Sequence, residues 1–173
     1  MKGKKVKEMT TLSPVSLRPF CPQDMDALAE IVTNTQVNKT YMLPDFPSRQ
    51  DALPLCRRLE ALSNDETHFV RAICAEGCVV GFLNDVEQTG GCVEVGYVVH
   101  PAHWNKGYAT LALKEATRQL FERGFTAVEA GYFEENTASA RVMEKAGMLP
   151  ISKTDTISYR GQDHLCRYFR ITR

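Results

Sequence analysis

Hydrophobic and polar positions change their spacing several times along this chain, and each change marks a predicted element. Period-two alternation and short Val/Ile-rich runs between Gly or Pro residues predict strands, whereas apolar residues at i, i+3 and i+4 predict helices. The predicted order is a strand at 15–20, a helix at about 22–33, a loop at 35–48, a helix after Ser48, a hairpin at 68–86, a strand at 92–100, a helix from Lys106 to Gly124, a strand at 126–133, a helix at 135–147 and a closing hairpin around Gly161.

The strand at 92–100 and the helix after it have the clearest patterns. One face of the strand carries Val93, Val95, Tyr97 and Val99, and the other carries Glu94, Gly96 and Val98. The helix has an apolar stripe of Ala109, Leu113, Ala116 and Leu120. Together with the hairpin before them, these elements predict three consecutive antiparallel strands in an α+β (mixed α/β) fold, with helices on the faces of the sheet.

The helix after Ser48 carries conflicting signals at its start. Ser48 and Asp51 have the spacing of a capping box, which indicates a helix beginning directly after Ser48. Pro54 lies inside the same stretch and lacks the backbone N–H that a helix interior requires. We therefore expect the helix to begin later than the capping box indicates.

Length and charge limit the classes of function. The chain has 173 residues, with 21 basic and 21 acidic side chains. This length fits one domain, expected at residues 14–173, and the balanced charge argues against nucleic acid as the main partner. Residues 1–13 are predicted to be a flexible basic tail, since no apolar run follows that could be a signal peptide or a membrane span. We expect a cytoplasmic protein that has no membrane partner.

The cysteines also fit the expected cytoplasmic location. Six cysteines are present, and several lie in apolar runs, so reduced and mostly buried thiols are expected. Cys74 and Cys78 are separated by a turn, and no second Cys or His pair follows at zinc-ligand spacing. No metal site is predicted.

The turn "HPAHWNKGYAT", residues 100–110, connects a strand to a helix within a predicted strand–helix–strand unit. A helix N-terminus presents unpaired N–H groups and the positive end of the helix dipole, so it binds anions. Main-chain groups in the first turn are candidates to hold a diphosphate, at Asn105, Lys106, Gly107, Tyr108, Ala109 and Thr110. The spacing of one glycine leaves open that Gly107 serves only the bend of the chain.

Two motifs resemble the GNAT superfamily of N-acetyltransferases. Gly107 and Ala109 match its acetyl-CoA loop, although Trp104 stands where Gln or Arg is usual. That departure, and the segment "ENTASARVMEKAGM" at 135–148, resemble the ribosomal-protein N-terminal (alanine/serine) acetyltransferase branch. The resemblance covers roughly residues 15–171. It implies a mixed, mostly antiparallel sheet of six to seven strands with about four helices, in which the parallel fourth and fifth strands splay apart.

The resemblance also implies roles for individual residues. Acetyl-CoA is the expected co-substrate, held by the loop, by Trp104, by backbone groups of Val98 and Val99, and by Asn136. The N–H groups of Val98 and Val99 are candidates for the oxyanion hole. The matching position of the usual tyrosine acid is Met143, so Ser139 is the alternative acid or an ordinary helix serine.

Glu94 and Glu129 are the candidate catalytic bases, because they occupy the two adjacent parallel strands on the side away from each strand's main apolar stripe. A structural glutamate paired with Arg or Lys is the alternative for both. The expected partner is a primary amine, either a protein N-terminus or a small molecule such as a polyamine, an amino acid or an aminoglycoside. A non-catalytic acyl-CoA-binding module remains the rival class, and the resemblance also allows a homodimer.

Overall fold

The computed structural model describes residues 14–173, and the tail predicted at residues 1–13 lies outside the described residues. In this part of the chain seven strands form one sheet in the order β1-β2-β3-β4-β5-β7-β6. The strands are β1 Val15–Arg18, β2 Arg71–Ala75, β3 Cys78–Thr89, β4 Cys92–Val99, β5 Ala127–Phe133, β6 Leu149–Tyr159 and β7 Gln162–Thr172. The helices are α1 Met25–Val32, α2 Arg49–Ser63, α3 Tyr108–Glu122 and α4 Thr137–Lys145.

The predicted mixed sheet is confirmed. β4 and β5 are parallel, and every other neighbouring pair is antiparallel. The β4–β5 connection runs through α3, as a parallel pair requires. β7 lies between β5 and β6, so the closing hairpin adds to the sheet through its second strand.

The two faces of the sheet bury separate apolar clusters. One cluster packs against α3 and α4 and includes Val93, Val95, Leu113, Val128, Met143 and Phe169. The other packs against α1 and α2 and includes Leu28, Ala52, Cys56, Phe82 and Val98. Successive side chains of a strand point to opposite faces of the sheet. The two sets of side chains in the alternation predicted for residues 93–99 therefore face different clusters.

The expected late start of the second helix is wrong. Ser48 adopts an extended conformation and its hydroxyl accepts a hydrogen bond from the Asp51 N–H at 3.3 Å, so α2 begins directly after Ser48 and contains Pro54. The cap and the buried face of α2 outweigh the hydrogen bond that proline removes.

The cysteine expectation needs one correction. All six cysteines are free, but Cys56 and Cys166 are the buried ones, Cys78 is exposed, and the remaining three are half-buried. Cys78 and Cys92 are the first residues of β3 and β4, next to turns, so the apolar sequence that follows them does not bury them fully.

Candidate active site

The turn between β4 and α3 contains two residues with left-handed backbone geometry. Asn105 has φ of 60° and Gly107 has φ of 79°. A Cβ built on Gly107 would meet no described atom within 4 Å, so packing does not require glycine there. The Trp104 indole N–H donates a hydrogen bond to the Val99 carbonyl at 2.6 Å and ties the start of the turn to the end of β4.

The first turn of α3 contains backbone N–H groups that can donate hydrogen bonds to a ligand. Gly107 is the N-cap residue, and within residues 14–173 no side chain caps this helix. The N–H groups at the start of a helix lack intrahelical partners, so those of Tyr108, Ala109 and Thr110 are available to an anion. An exposed turn with open space over Gly107 fits the diphosphate of acetyl-CoA.

Glu76, in the turn between β2 and β3, reaches the same loop, a contact that sequence reasoning missed. Its carboxylate accepts hydrogen bonds from the Tyr108 hydroxyl at 2.5 Å and the Lys106 Nζ at 3.1 Å. These two donors hold the pKa of Glu76 below its usual value. The residue is 30 positions from Lys106, and no local pattern signals a contact over that separation.

The gap between β4 and β5 lies next to the turn at residues 100–110. The two strands pair only from Cys92↔Ala127 to Glu94↔Glu129 in the described part of the chain. Residues 95–99 of β4 then pair with β3 alone, and residues 130–133 of β5 pair with β7 alone. We call the space between these two segments the strand gap.

Strand geometry distinguishes the two predicted oxyanion donors. The His100 N–H donates to the Val80 carbonyl on β3 at 2.8 Å. Since donor direction alternates along an antiparallel strand, the Val98 N–H also points toward β3, whereas the Val99 N–H points toward the strand gap. Val99 is therefore the better-placed donor of the two.

Glu94 and Glu129 lie side by side at the inner end of the strand gap. They form the last parallel pair, and Lys153 of β6 donates to Oε2 of both at 3.2 Å. Arg170 of β7 adds a hydrogen bond from its Nε to Oε1 of Glu129 at 2.7 Å. Sequence reasoning anticipated a basic partner in general terms but did not identify Lys153 or Arg170.

The two glutamates differ in electrostatic environment. Burial raises the pKa of Glu94, and the hydrogen bond from Lys153 offsets this effect only in part. Burial also raises the pKa of Glu129, but the hydrogen bonds from Arg170 and Lys153 outweigh it and the pKa is lowered. Glu129 is 5% exposed and bound by two cations, so its environment is that of a structural ion pair.

α4 brings Asn136 and Ser139 toward the α3 face of the sheet. The Asn136 side chain caps the helix by accepting from the Ser139 N–H at 3.3 Å, which leaves its amide N–H₂ free to donate elsewhere. The Ser139 hydroxyl shares a hydrogen bond with the Tyr97 hydroxyl at 2.7 Å. Met143 is fully buried in the core, one turn further along.

On the opposite face, the loop at 37–46 covers part of β4. Tyr41 lies against Gly96, where an added Cβ would come within 2.7 Å of its hydroxyl oxygen. The same hydroxyl donates to the side chain of Asn84 on β3. This loop therefore packs on Gly96, two residues along β4 from Glu94, whereas the turn at residues 100–110 follows the other end of the strand.

Comparison with known proteins identifies the class. Residues 15–149 match the family model described as acetyltransferase (GNAT) domain, so the chain belongs to the GNAT acetyltransferase family. It is accordingly an acetyl-CoA-dependent N-acetyltransferase.

Individual matches are moderate in sequence identity and high in coverage. An uncharacterized N-acetyltransferase p20 of Bacillus licheniformis is 27% identical over 149 residues, covering 78% of this chain and 82% of that protein. A GNAT-family acetyltransferase structure from Bacillus anthracis has a TM-score of 0.79 at 24% identity, covering 92% of this chain and 95% of the other. A spermidine N-acetyltransferase from Vibrio cholerae, solved with CoA and spermine, has a TM-score of 0.77 at 15% identity, covering 92% and 95%.

Two negative findings apply to residues 14–173. None of the helices in this range is both long and apolar enough to cross a bilayer. Nor do three or more His, Cys, Asp or Glu side chains come together there in a way that suits a metal ion.

Proposed function

We propose that this chain acetylates a primary amine by direct attack of the amine on the acetyl-CoA thioester, with Glu94 accepting the amine proton. One observation carries the proposal. Glu94 is a partly buried carboxylate at the point where β4 and β5 separate. The turn at residues 104–110, whose backbone N–H groups are available to an anion, follows the far end of the same strand. Glu94 and the proposed diphosphate site therefore lie toward opposite ends of β4. This arrangement suits a long co-substrate that lies along the strand gap.

Other groups of the chain have supporting roles in this proposal. Acetyl-CoA supplies an activated acyl thioester. The first-turn N–H groups of α3 hold its diphosphate, the Asn136 amide donates to the pantetheine arm, and the Val99 N–H stabilises negative charge on the reacting oxygen. The Ser139 hydroxyl donates a hydrogen bond to the leaving thiolate, which needs little help because a thiol pKa is about 8.5. Glu129 holds Lys153 and Arg170.

For the acceptor we favour a protein N-terminal α-amino group, as in the ribosomal-protein branch. An α-amine with a pKa near 8 is about 10% neutral at pH 7, whereas a lysine amine is roughly 0.04% neutral. An α-amine therefore needs only a modest base, which Glu94 supplies directly or through one water. A small amine is the second candidate, since the Vibrio cholerae relative is named for spermidine.

The most informative experiment is a mass-spectrometric acetylation screen. Peptides with varied N-termini and a panel of polyamines, amino acids and aminoglycosides are incubated with the protein and acetyl-CoA. We expect at least one class of primary amine to gain an acetyl group at a rate that depends on enzyme concentration. CoA binding without turnover on the whole panel would instead support the non-catalytic acyl-CoA-binding module.

Glu94→Gln tests the base. We expect turnover to fall at least tenfold because general-base catalysis contributes roughly 100-fold or more, while CoA affinity stays unchanged. Steady-state kinetics and calorimetry measure the two quantities. Glu144→Gln is the control, since Glu144 is an exposed glutamate on α4. Equal losses of turnover in both variants would remove Glu94 from the proposed mechanism.

The predicted homodimer and the cytoplasmic location stay predictions. Light scattering on the purified full chain measures the oligomeric state directly.

A further inference from the structure

Lys153 reaches the proposed base from a break in the β6–β7 ladder. The register shifts between Ile151 and Thr154, so Ser152 and Lys153 lie outside the regular pairing. A bulge of this kind redirects side chains from their normal alternation. Here the ammonium of Lys153 lies between Glu94, three strands away from β6 in the sheet, and Glu129, two strands away.

The ammonium is held on a third side by an aromatic ring. Its Nζ is 4.0 Å from the centroid of Tyr168, a cation–π contact. The Tyr168 hydroxyl donates to Asp155 at 2.8 Å, which fixes the ring in place. Burial lowers the pKa of Lys153, but its contacts with Glu94 and then Glu129 outweigh burial, so the amine remains a cation.

The charges around Glu94 indicate how the Lys153 ammonium affects the protonation of Glu94. The titratable groups that face Glu94 are Glu87 on β3, Glu129 on β5, Lys153 on β6, and Cys166 and Tyr168 on β7. Within the described residues, Lys153 is the one cation that contacts Glu94, because Arg170 contacts Glu129. Burial and two neighbouring carboxylates all favour protonation of Glu94, and a protonated carboxyl cannot accept a proton from an amine.

We propose that Lys153 is a positioning residue of the acetyl transfer, whose ammonium holds the Glu94 carboxylate ionised and in place at the inner end of the strand gap. This inference rests on the role of Glu94 under "Proposed function". It goes beyond that role because it names the residue that keeps Glu94 ionised. That residue belongs to the closing hairpin, outside both motifs that resemble the acetyl-CoA site.

Lys153→Met tests the proposal, because methionine keeps an unbranched side chain only one atom shorter than that of lysine while removing the charge. The titration of Glu94 is followed by ¹³C NMR of the glutamate carboxyl carbons, assigned by the signal that disappears in Glu94→Gln. We expect the midpoint to rise by about one pH unit, the low end for a contacting charge, because the Lys153 side chain is 37% exposed and water screens it. Lys153→Arg should stay within a few tenths of a pH unit of the wild type.

The kinetic experiment measures turnover at saturating amine across pH. In Lys153→Met we expect the acid limb of kcat to move to higher pH by the same amount as the NMR midpoint, with CoA affinity unchanged. Arg167→Met is the matched control, because Arg167 pairs with the exposed Glu134 and its loss should leave the limb in place. Lys153→Gln replaces Lys153→Met if the latter fails to fold.

Three outcomes overturn the proposal. An unchanged NMR midpoint removes the electrostatic step, and a shifted midpoint with an unchanged kcat profile removes the link to catalysis. Both leave the proposed function intact if the wild-type chain acetylates amines. Absence of acetyl transfer by the wild type overturns both proposals, and this result is visible before any variant is made.

Discussion

Backbone conformation explains why glycine is needed at position 107. Its φ of 79° costs any other residue roughly 1–2 kcal/mol, and the open space over it lies beside the first-turn N–H groups of α3. Asn105, at φ of 60°, is the other left-handed residue of the turn, and asparagine adopts this conformation more readily than most residues. The two positions together shape the turn at the start of α3.

Gly107→Val should weaken CoA binding at least tenfold without unfolding the protein. The branched side chain strains the left-handed backbone and occupies the space through which a diphosphate reaches the helix N-terminus. Calorimetry with CoA measures the affinity. Gly124→Val is the control, since Gly124 has φ of 98° just beyond the other end of α3. Unchanged affinity in Gly107→Val would rule out the loop as the diphosphate site.

At the scale of the element, α2 shows how a cap competes with a proline. The Ser48 hydroxyl accepts from the Asp51 N–H and donates to the Asp51 carboxylate at 2.7 Å. Pro54 removes one internal hydrogen bond, yet Ala52, Cys56 and Leu59 on either side of it are buried in the core against the sheet. Helix packing in a protein contributes more than intrinsic propensity, so the proline is tolerated.

Ser48→Ala should lower the free energy of unfolding by about 1 kcal/mol, the usual contribution of an N-cap. Chemical denaturation with an unchanged m-value measures this loss. Ser48→Thr keeps a hydroxyl that accepts from the Asp51 N–H and donates to the Asp51 carboxylate, and should stay closer to the wild type than Ser48→Ala does. Neither variant should change CoA affinity, and a stability equal to wild type in Ser48→Ala would show that the cap contributes nothing.

At the scale of the whole molecule, the closing hairpin is attached to the loop at residues 37–46. The Tyr159 hydroxyl at the end of β6 is 2.9 Å from the Asn38 carbonyl oxygen and 3.1 Å from that of Leu43, and it accepts from the Leu43 N–H at 3.4 Å. Arg160 adds an ion pair with Asp45. The hairpin thus contacts the loop through Tyr159 and Arg160 and the proposed base through Lys153.

Tyr159→Phe should loosen this attachment. We expect faster amide hydrogen exchange at Leu43 and a several-fold higher KM for the amine, with CoA affinity unchanged, because the loop packs on Gly96 of β4, two residues from the proposed base Glu94. Arg160→Met removes the exposed ion pair with Asp45 and the guanidinium contact with the Tyr159 ring but keeps the Tyr159 hydroxyl, and should have the smaller effect, since exposed ion pairs contribute about 0–1 kcal/mol. A KM in Tyr159→Phe equal to that of Arg160→Met would mean that the loop does not depend on the Tyr159 hydroxyl.

Local features of the chain were predictable from sequence because they depend on neighbours a few residues apart. The alternation at 93–99 reflects side-chain direction in a strand, and the turn at 100–110 reflects the requirements of a helix N-terminus. The element order, the parallel β4–β5 pair and the acetyltransferase class are confirmed. The site roles of Glu94 and Ser139 stay predictions.

Contacts between distant segments were decided by the tertiary structure alone. Nothing within a few residues of Glu94 or Glu129 tells which of them is bound by two cations, because Lys153 and Arg170 arrive from β6 and β7 through strand order and a register shift. Glu76 reaches the acetyl-CoA loop in the same way. Sequence by itself therefore determined the elements and the turn at residues 100–110, which follow from local conformation, and the family, which follows from short motifs. Only the assembled sheet decided that Glu94 contacts one cation and Glu129 two, since this depends on charges brought together from far along the chain.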